Sequence, residues 1–429
     1  MFCNQCEETA KGFGCTVRGV CGKDEEAAGL QDVLIYTLKG LSTRNLAAMK
    51  AGGGNPDAGK FVAGCLFATL TNVNFDPARL RDMINEAARI RDALPPAGST
   101  EPAACTWAPA SPAAIAAKAQ EIVAAREAVD PDLQSLRDLL VYGLKGLGAY
   151  YHHAAILGYE DEEITVFMQE ALAATLQDLS VGDMVGHVLA CGEVGVKVLA
   201  LLDTANTTAY GTPAITTVRT TAGARPGILV TGHDLKDLAD LLEQARGAGV
   251  DVYTHGEMLP AHAYPDLRKY DHLVGNYGGS WPFQREEFER FNGPVLVTTN
   301  CLVPPKDSYR DRVYTTGLVG YAGLKHIDAS PDGKKDFSTL IEHAKRCKAP
   351  EDISRGDLVT GCAHAPVLAL ADTVIDAVKT GAVKRFLVMA GCDGRYGGRD
   401  YYTRFAKALP ADTVILTAGC AKYRYNSLG

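Results

Sequence analysis

A chain of 429 residues is too long for one ordinary hydrophobic core, so several domains are expected. Hydrophobic residues make up 47% and charged residues 22%, a soluble globular balance, and the net charge of −8 argues against nucleic acid or an anionic membrane as the main partner. No uninterrupted apolar run reaches the ~18 residues that span a bilayer.

The chain opens MFCNQCEETAKGFGCTVRGVCG, with Cys3, Cys6, Cys15 and Cys21 in a C-x2-C-x8-C-x5-C spacing. It shows no basic region followed by an apolar stretch, as a cleavable signal peptide would, so a cytoplasmic location is expected. Twelve cysteines in such a chain point to metal or redox chemistry rather than disulfide staples. Thiolates are soft ligands that suit zinc or an iron–sulfur cluster. Glycines at 12, 14, 19 and 22 let the loop wrap tightly and aim backbone N–H groups at sulfide. A zinc ribbon more often has two C-x2-C knuckles, and only the first pair here has that spacing. Iron–sulfur is therefore favoured over zinc, and both over four unrelated core thiols in a polar glycine-rich loop.

The next two hundred residues read as helical. Residues 30–41, LQDVLIYTLKGL, and 136–147, LRDLLVYGLKGL, share the frame L-x-D-x-L-x-Y-x-L-K-G-L at an offset of 106. Apolar residues at i, i+4, i+8 and i+11 turn one wide stripe toward a core. One such helix per long repeat predicts two related helical bundles rather than a solenoid. Between them LPPAGSTEPAACTWAPASPAA reads as a linker or loop.

From residue 225 short β-branched runs alternate with amphipathic helices, the mark of βαβ units around a parallel sheet. GILVTGHD, VDVYTHGE, DHLVGNYG and GPVLVTTNC are the strand signals. From about residue 351 a second α/β region holds only two strands, RFLVMAGC and TVILTAGC, before the sequence stops at Gly429. That region reads as unfinished, completed by a partner or belonging to a longer chain. The expected fold class is thus multidomain α and α/β. A helical domain at 1–224 precedes two Rossmann-like domains at 225–350 and 351–429, the last incomplete.

Five candidate ligands stand just past strand ends, where α/β folds place active sites: His233, Glu257, Cys301, Cys392 and Cys420. Each alone is bland: a satisfied histidine, a capping glutamate, a small core thiol. Together, in mixed soft and harder types, they point to a metal site. An all-thiolate cluster is coordinatively closed and suits electron transfer. Imidazole and carboxylate make iron harder, able to hold oxygen ligands and to leave a position open for substrate. Cys65, Cys105, Cys191, Cys347 and Cys362 share no spacing and read as core residues, and the His187–Cys191 pair reads as packing. His255 is an alternative ligand or a proton donor.

The opening stretch, with TGHDLKDL, THGEMLPAH, NYGGSWPFQREEF, TTNCLVPP, AGCDGR and AGCAKYRYN, resembles the hybrid cluster protein family, also called prismane or hydroxylamine reductase. The resemblance runs in order from Met1 to Gly429. It implies that Cys3, Cys6, Cys15 and Cys21 hold a 4Fe–4S cubane. It implies that His233, Glu257, Cys301, Cys392 and Cys420 hold a hybrid 4Fe–2O–2S cluster, with Cys392 as a persulfide and Glu257, His233 and Cys392 as catalytic residues. The implied fold is two three-helix bundles followed by two α/β domains. Family members continue past the KYR(F/Y)N motif and bring a further cysteine and glutamate to the hybrid cluster, so a truncated C-terminus is expected here. The implied activity is reduction of hydroxylamine to ammonia and water, with nitric oxide as a further substrate. An external reductase supplies the electrons, and no nucleic acid or membrane takes part. An electron carrier or nitric-oxide sensor without turnover, and a nickel–iron enzyme like carbon monoxide dehydrogenase, are the alternatives.

Overall fold

Both repeat helices are entered through an aspartate cap. Asp24 accepts a hydrogen bond from the Ala27 N–H at 2.8 Å to start α1 (Glu25–Lys50). Asp130 accepts from Asp132 and Leu133 at 3.0 and 3.1 Å to start α6 (Pro131–Ala155), with Pro131 in the first turn. These are groups the first turn would otherwise leave unpaired. The structure is a computed structural model describing residues 1–428 except Glu7, Ser354, Arg355, Asp393 and residues 395–399.

The chain divides into two units, Met1–Ala205 with Leu318–Ala322 and Asn206–Gly317 with Gly323–Gly429. The first is helical. Between α1 and α6 lie α2 (Ala58–Ala68), the two-residue strand β1 (Asn74–Phe75), α3 (Pro77–Asp92), α4 (Ala103–Thr106) and α5 (Pro112–Glu127). After α6 come α7 (Glu162–Ala174) and α8 (Val181–Tyr210). The apolar stripe of α1 is fully buried at Val33, Leu34, Leu38 and Leu41, against α3, α5 and α7, while α6 packs on α2. Each such leucine contributes about 1.5–3 kcal/mol by leaving water.

The Pro- and Ala-rich segment between the repeats is a loop, as expected, with one packed turn in it: α4, where Cys105 is buried and the Ala104 carbonyl accepts from Arg91 Nη1 at 2.9 Å. A buried arginine needs acceptors, and a short helix end supplies one. In addition, α8 is long and apolar enough to cross a membrane by length and composition, although only 11% of that window is buried. Counting unbroken apolar runs misses it, because Asp183, His187 and Glu193 interrupt the run without polarising the average. Its buried residues Met184, Cys191, Val198 and Ala205 recur every seven positions, one narrow seam against the helical core.

The second unit is built on a six-stranded parallel sheet. Its chain order is β2 (Thr216–Val218), β3 (Gly227–Thr231), α9 (Leu235–Gln244), β4 (Asp251–His255), α10 (Pro265–Arg268), β5 (Leu273–Asn276), α11 (Gln284–Phe291), β6 (Val295–Val297) and β7 (Val313–Thr316). The excursion Gly320–Tyr321, β8, pairs with β1 in the helical unit, and β9 (Lys325–Ile327) returns to the sheet. The strand order is β5-β4-β3-β6-β7-β9. β3, β4, β6 and β7 are buried throughout, as expected of parallel strands covered on both faces. The order reverses between β3 and β6, which makes their carboxyl ends the topological switch point.

Beyond α12 (Ser338–Lys345), β10 (Leu358–Thr360) runs antiparallel to β2. Then follow α13 (His364–Ala369), α14 (Ala371–Lys379), β11 (Arg385–Val388), α15 (Asp400–Ala408) and β12 (Thr413–Leu416). β11 and β12 pair in parallel, in register from Arg385↔Thr413 to Val388↔Leu416.

His262, beside β4, is buried with Nε2 at 2.9 Å from Thr254 Oγ1, and burial pushes its pKa from 6.5 down to about 4. The unfolded chain takes up this proton near pH 6.5 and the folded chain only near 4. Stability from the neutral ring is therefore complete above 6.5 and is lost as pH falls toward 4, a loss of about 3 kcal/mol. Urea unfolding followed through Trp281 in a Trp107→Phe background should show this acid lability. His262→Gln should flatten it; an unaltered pH profile would show that His262 is not its source.

Candidate metal centres

The opening loop folds back on itself. Cys3 and Cys15 form an antiparallel bridge, exchanging backbone hydrogen bonds of 3.1 and 2.8 Å. The Ala10 N–H points at Cys15 Sγ at 3.5 Å, and the Gln5 amide at Cys3 Sγ at 3.7 Å. A tight turn in which the Gly22 N–H bonds the Gly19 carbonyl at 2.8 Å carries Cys21 to the same place. Burial, joined by the neighbouring Cys21, Cys3 and Cys15, pushes the Cys6 thiol up to about 11. The four thiols therefore lie within electrostatic reach of one another.

The second group forms at the switch point. Past β3, Gly232 takes φ +110°, where an added Cβ would stand 2.4 Å from Thr298 Oγ1. Only glycine passes so close to β6, and the turn delivers His233 with Nδ1 3.0 Å from Thr299 Oγ1. Burial lowers the His233 pKa, Glu257 draws it back up and Lys422 opposes that. Past β4, Glu257 accepts from Lys422 Nζ at 2.6 Å. Past β6, Cys301 holds φ +75°, rare for a residue with a side chain. It is kept there by Gln284, whose Nε2 donates to the Cys301 carbonyl at 2.7 Å. Such strain costs about 1–3 kcal/mol and collects at working sites.

Cys420 follows β12 and is buried. The Cys301 thiol is the first cause of its raised pKa, ahead of burial and Glu257. Gly419, φ +78°, lets the backbone pass where a Cβ would be 2.5 Å from the Gly391 carbonyl. Gly391 bonds Ala418 and Ala421 on either side of Cys420 at 2.9 and 3.0 Å, which sets the exposed Cys392 at the neighbouring strand end.

The structure thus gathers His233, Glu257, Cys301 and Cys420 into one electrostatic group and ties Cys392 to it through the backbone. His255 is not part of it: Nε2 is 2.9 Å from Glu287 Oε2, Nδ1 is 3.3 Å from Thr231 Oγ1, and the ring packs on Phe288. It is a satisfied core histidine. Cys191 is buried against Gly143 of α6, so the packing reading of the His187–Cys191 pair applies. The sequence reading missed Lys422 and Tyr423, whose hydroxyl donates to the Gly256 carbonyl at 2.7 Å. Their signal was the unexplained KYR after Cys420. Asp393 and Arg395 of the AGCDGR segment lie outside the described residues.

Among the described residues no three Cys, His, Asp or Glu side chains converge on a point that would hold a single metal ion. A tetrahedral zinc site would need that convergence. A polynuclear cluster takes each ligand on its own iron, so a wider ring of donors fits it. The Lys422 ammonium on Glu257 marks that carboxylate as a place where positive charge is held.

A parallel-sheet unit with thiol, imidazole and carboxylate at its switch point and a helical unit with four clustered thiols are, together, the framework of an iron–sulfur oxidoreductase. The chain belongs to the Prismane/CO dehydrogenase family, whose match spans residues 1–429, and within it to the hybrid cluster proteins, also called hydroxylamine reductases. It is 57% identical over 436 residues to a hydroxylamine reductase of Thermoanaerobacter pseudethanolicus, covering 100% of this chain and 80% of that protein. It is 55% identical over 431 residues to a hydroxylamine reductase of Chlorobaculum tepidum, covering 100% and 79%. Among solved structures, carbon monoxide dehydrogenase IV from Carboxydothermus hydrogenoformans matches with a TM-score of 0.48 and 14% identity, over 100% of this chain and 70% of that one.

Glu257 and Lys422 are only 15% and 12% exposed, so the pair is largely out of water. In metal-free protein, Lys422→Met should lower stability by about 3 kcal/mol, because it strands the carboxylate, while Lys422→Arg should recover most of the loss. Urea denaturation of the two variants checks this; equal stability of K422M and wild type would show the pair to be idle.

Proposed function

We propose that this protein reduces hydroxylamine to ammonia and water at the strand-end group, with electrons passed through the N-terminal cysteine loop. The observation that carries the reading is the mixed donor set at the switch point, in which a strained Cys301 meets Cys420, Cys420 lies within electrostatic reach of Glu257, and Glu257 of His233. The relatives named hydroxylamine reductase support it, and they do not favour the carbon monoxide dehydrogenase alternative. Cys3, Cys6, Cys15 and Cys21 would hold a 4Fe–4S cubane. His233, Glu257, Cys301, Cys392 and Cys420 would hold the hybrid 4Fe–2O–2S cluster, Cys392 as the persulfide.

When bound, the hybrid cluster supplies Lewis-acid iron and two electrons, which with two protons split the N–O bond into ammonia and water. The chain's own groups prepare that step. Thr299 fixes the His233 ring at Nδ1, which leaves Nε2 as its ligand atom. Gln284 holds the Cys301 backbone in its strained turn. Lys422 keeps protons at Nζ, 2.6 Å from Glu257 Oε1 and 3.0 Å from the Gly419 carbonyl, beside the ligands rather than behind them. Tyr423 pins the 256–257 turn to the segment that follows β12. Nitric oxide fits the same open position as a second substrate, and an external reductase is the electron donor. The cytoplasm is the compartment, where thiols stay reduced and available as ligands.

Anaerobic EPR and an ammonia-release assay test the two halves separately. Glu257→Ala should keep the N-terminal cluster signal and lose both the hybrid signal and turnover; undiminished turnover would remove Glu257 from the site. Cys6→Ser should do the reverse at the first centre. It should lose the all-thiolate signal and slow turnover with the external donor by roughly tenfold or more, since electrons then lack their inlet.

A further inference from the structure

The repeat carries a second pattern besides its leucines. Asp, Tyr and Lys stand at i, i+4 and i+7 in each copy, as Asp32, Tyr36 and Lys39 in α1 and as Asp138, Tyr142 and Lys145 in α6. That spacing keeps three polar side chains on one helix face. On ordinary bundle helices such a face meets solvent. Here the two copies look at each other: all six residues line one cavity of about 260 Å³, closed at one end by the cysteine loop at Cys3 and reaching α5 at Glu121.

The charges around this cavity do not balance. Arg126 pairs with Asp138 through both guanidinium nitrogens, and Glu121 is taken by Lys118 at 2.6 Å. Lys23 and Lys145 bond only neutral oxygens, the Gln31 amide for Lys23 and the Thr69 carbonyl and Gln5 amide for Lys145, and Lys145 lies within electrostatic reach of Cys3. The Lys39 ammonium has no hydrogen-bond or ion-pair partner among the described residues, although its carbonyl accepts from Thr43 Oγ1 at 2.9 Å. Its strongest charged neighbour is Arg137, another cation, whose Nε is buried without an acceptor. Against Lys23, Lys39, Arg137 and Lys145 stands one unpaired acid, Asp32. The thiolate loop answers the cations at the Cys3 end. At the other end no carboxylate pairs with Lys39 or Arg137: Arg137 has the Gln177 carbonyl at Nη2, 3.0 Å away, and Asp138 and Asp32 reach Lys39 only through space. Half-buried cations left without a paired acid are costly.

We propose that this cavity is an anion site, taking one small tetrahedral oxyanion of the phosphate or sulfate class between Lys39 and Arg137. The volume holds a few waters or one such ion with part of its shell, and lysine with arginine is the pairing that oxyanions select. The internal repeat is what builds it, because each copy contributes its Asp-Tyr-Lys face to the same space. The site is separate from the strand-end group and does not rest on the activity proposed for it.

The test is calorimetric titration of the iron-loaded full chain with inorganic phosphate at fixed ionic strength in sodium chloride. Saturable one-to-one binding is expected for the wild type, weakened roughly tenfold or more in both Lys39→Met and Arg137→Gln. Helical circular dichroism and cluster absorption should be unchanged in each variant. Two variants are used so that one misfolding leaves the other to decide. Absence of saturable binding to the wild type, or undiminished affinity in either folded variant, would overturn the proposal.

Discussion

The parallel register of β4, β3 and β6 is the constraint on which the strand-end site depends. Thr231 stands level with His255 on one side and with Val297 on the other. Two residues on from Thr231 is His233, two on from His255 is Glu257, and four on from Val297 is Cys301. A slip of one residue in either pairing would turn an entire strand over and send one ligand to the wrong face. The register is protected because these strands are buried on both sides, so no slipped form keeps their apolar residues out of water. Rigid strands thus deliver the ligands, and the strained turns at Gly232 and Cys301 only aim them.

Register alone does not complete the group, since Cys420 arrives from a different sheet. Its position rests on the close passage of Gly419 over Gly391 and on the two residues after it. Lys422 reaches Glu257 and Tyr423 reaches the Gly256 carbonyl, so the segment after β12 is fastened to the turn after β4 on both sides of the carboxylate. A lysine–glutamate pair this far from water is a poor device for stability alone. Its use here is orientation: the carboxylate is already held, with Oε1 committed to Lys422.

Much of this was legible in the chain because the signals are local. The cysteine spacing, the leucine stripe and the polar residue just past each strand can all be read within ten residues, and the structure places the stripe in a core and those polar residues at the strand ends. What stayed hidden depends on pairs far apart in sequence. Glu287 satisfies His255 across 32 residues and Lys422 meets Glu257 across 165, and no short-range pattern announces either. His255 looked like a candidate donor because its partner could not be seen. The segment holding α4 read as a linker or loop because proline and alanine dominate it, and what stayed hidden is that it packs on α1 and is tied to α3 by one buried arginine. The repeat was seen at once, yet only its apolar half was interpretable. Its polar half acquires meaning when α1 and α6 turn the same face to one cavity, and that is a fact of packing rather than of periodicity.

The two units place cations by the same logic. In the sheet unit Lys422 stands beside Glu257 and near Cys420; in the helical unit Lys23 and Lys145 stand at the Cys3 end of the cavity, behind the thiol loop. A cluster ringed by thiolates is an anion, and each added electron makes it more so. Positive groups fixed nearby therefore stabilise the reduced form over the oxidised one and raise the potential at which the centre accepts an electron. Because these lysines are buried, salt screens them little, and their effect persists at cellular ionic strength. On the proposed reading the lysines would govern how readily each centre fills with electrons, and the cysteines, histidine and glutamate would govern what the centre is.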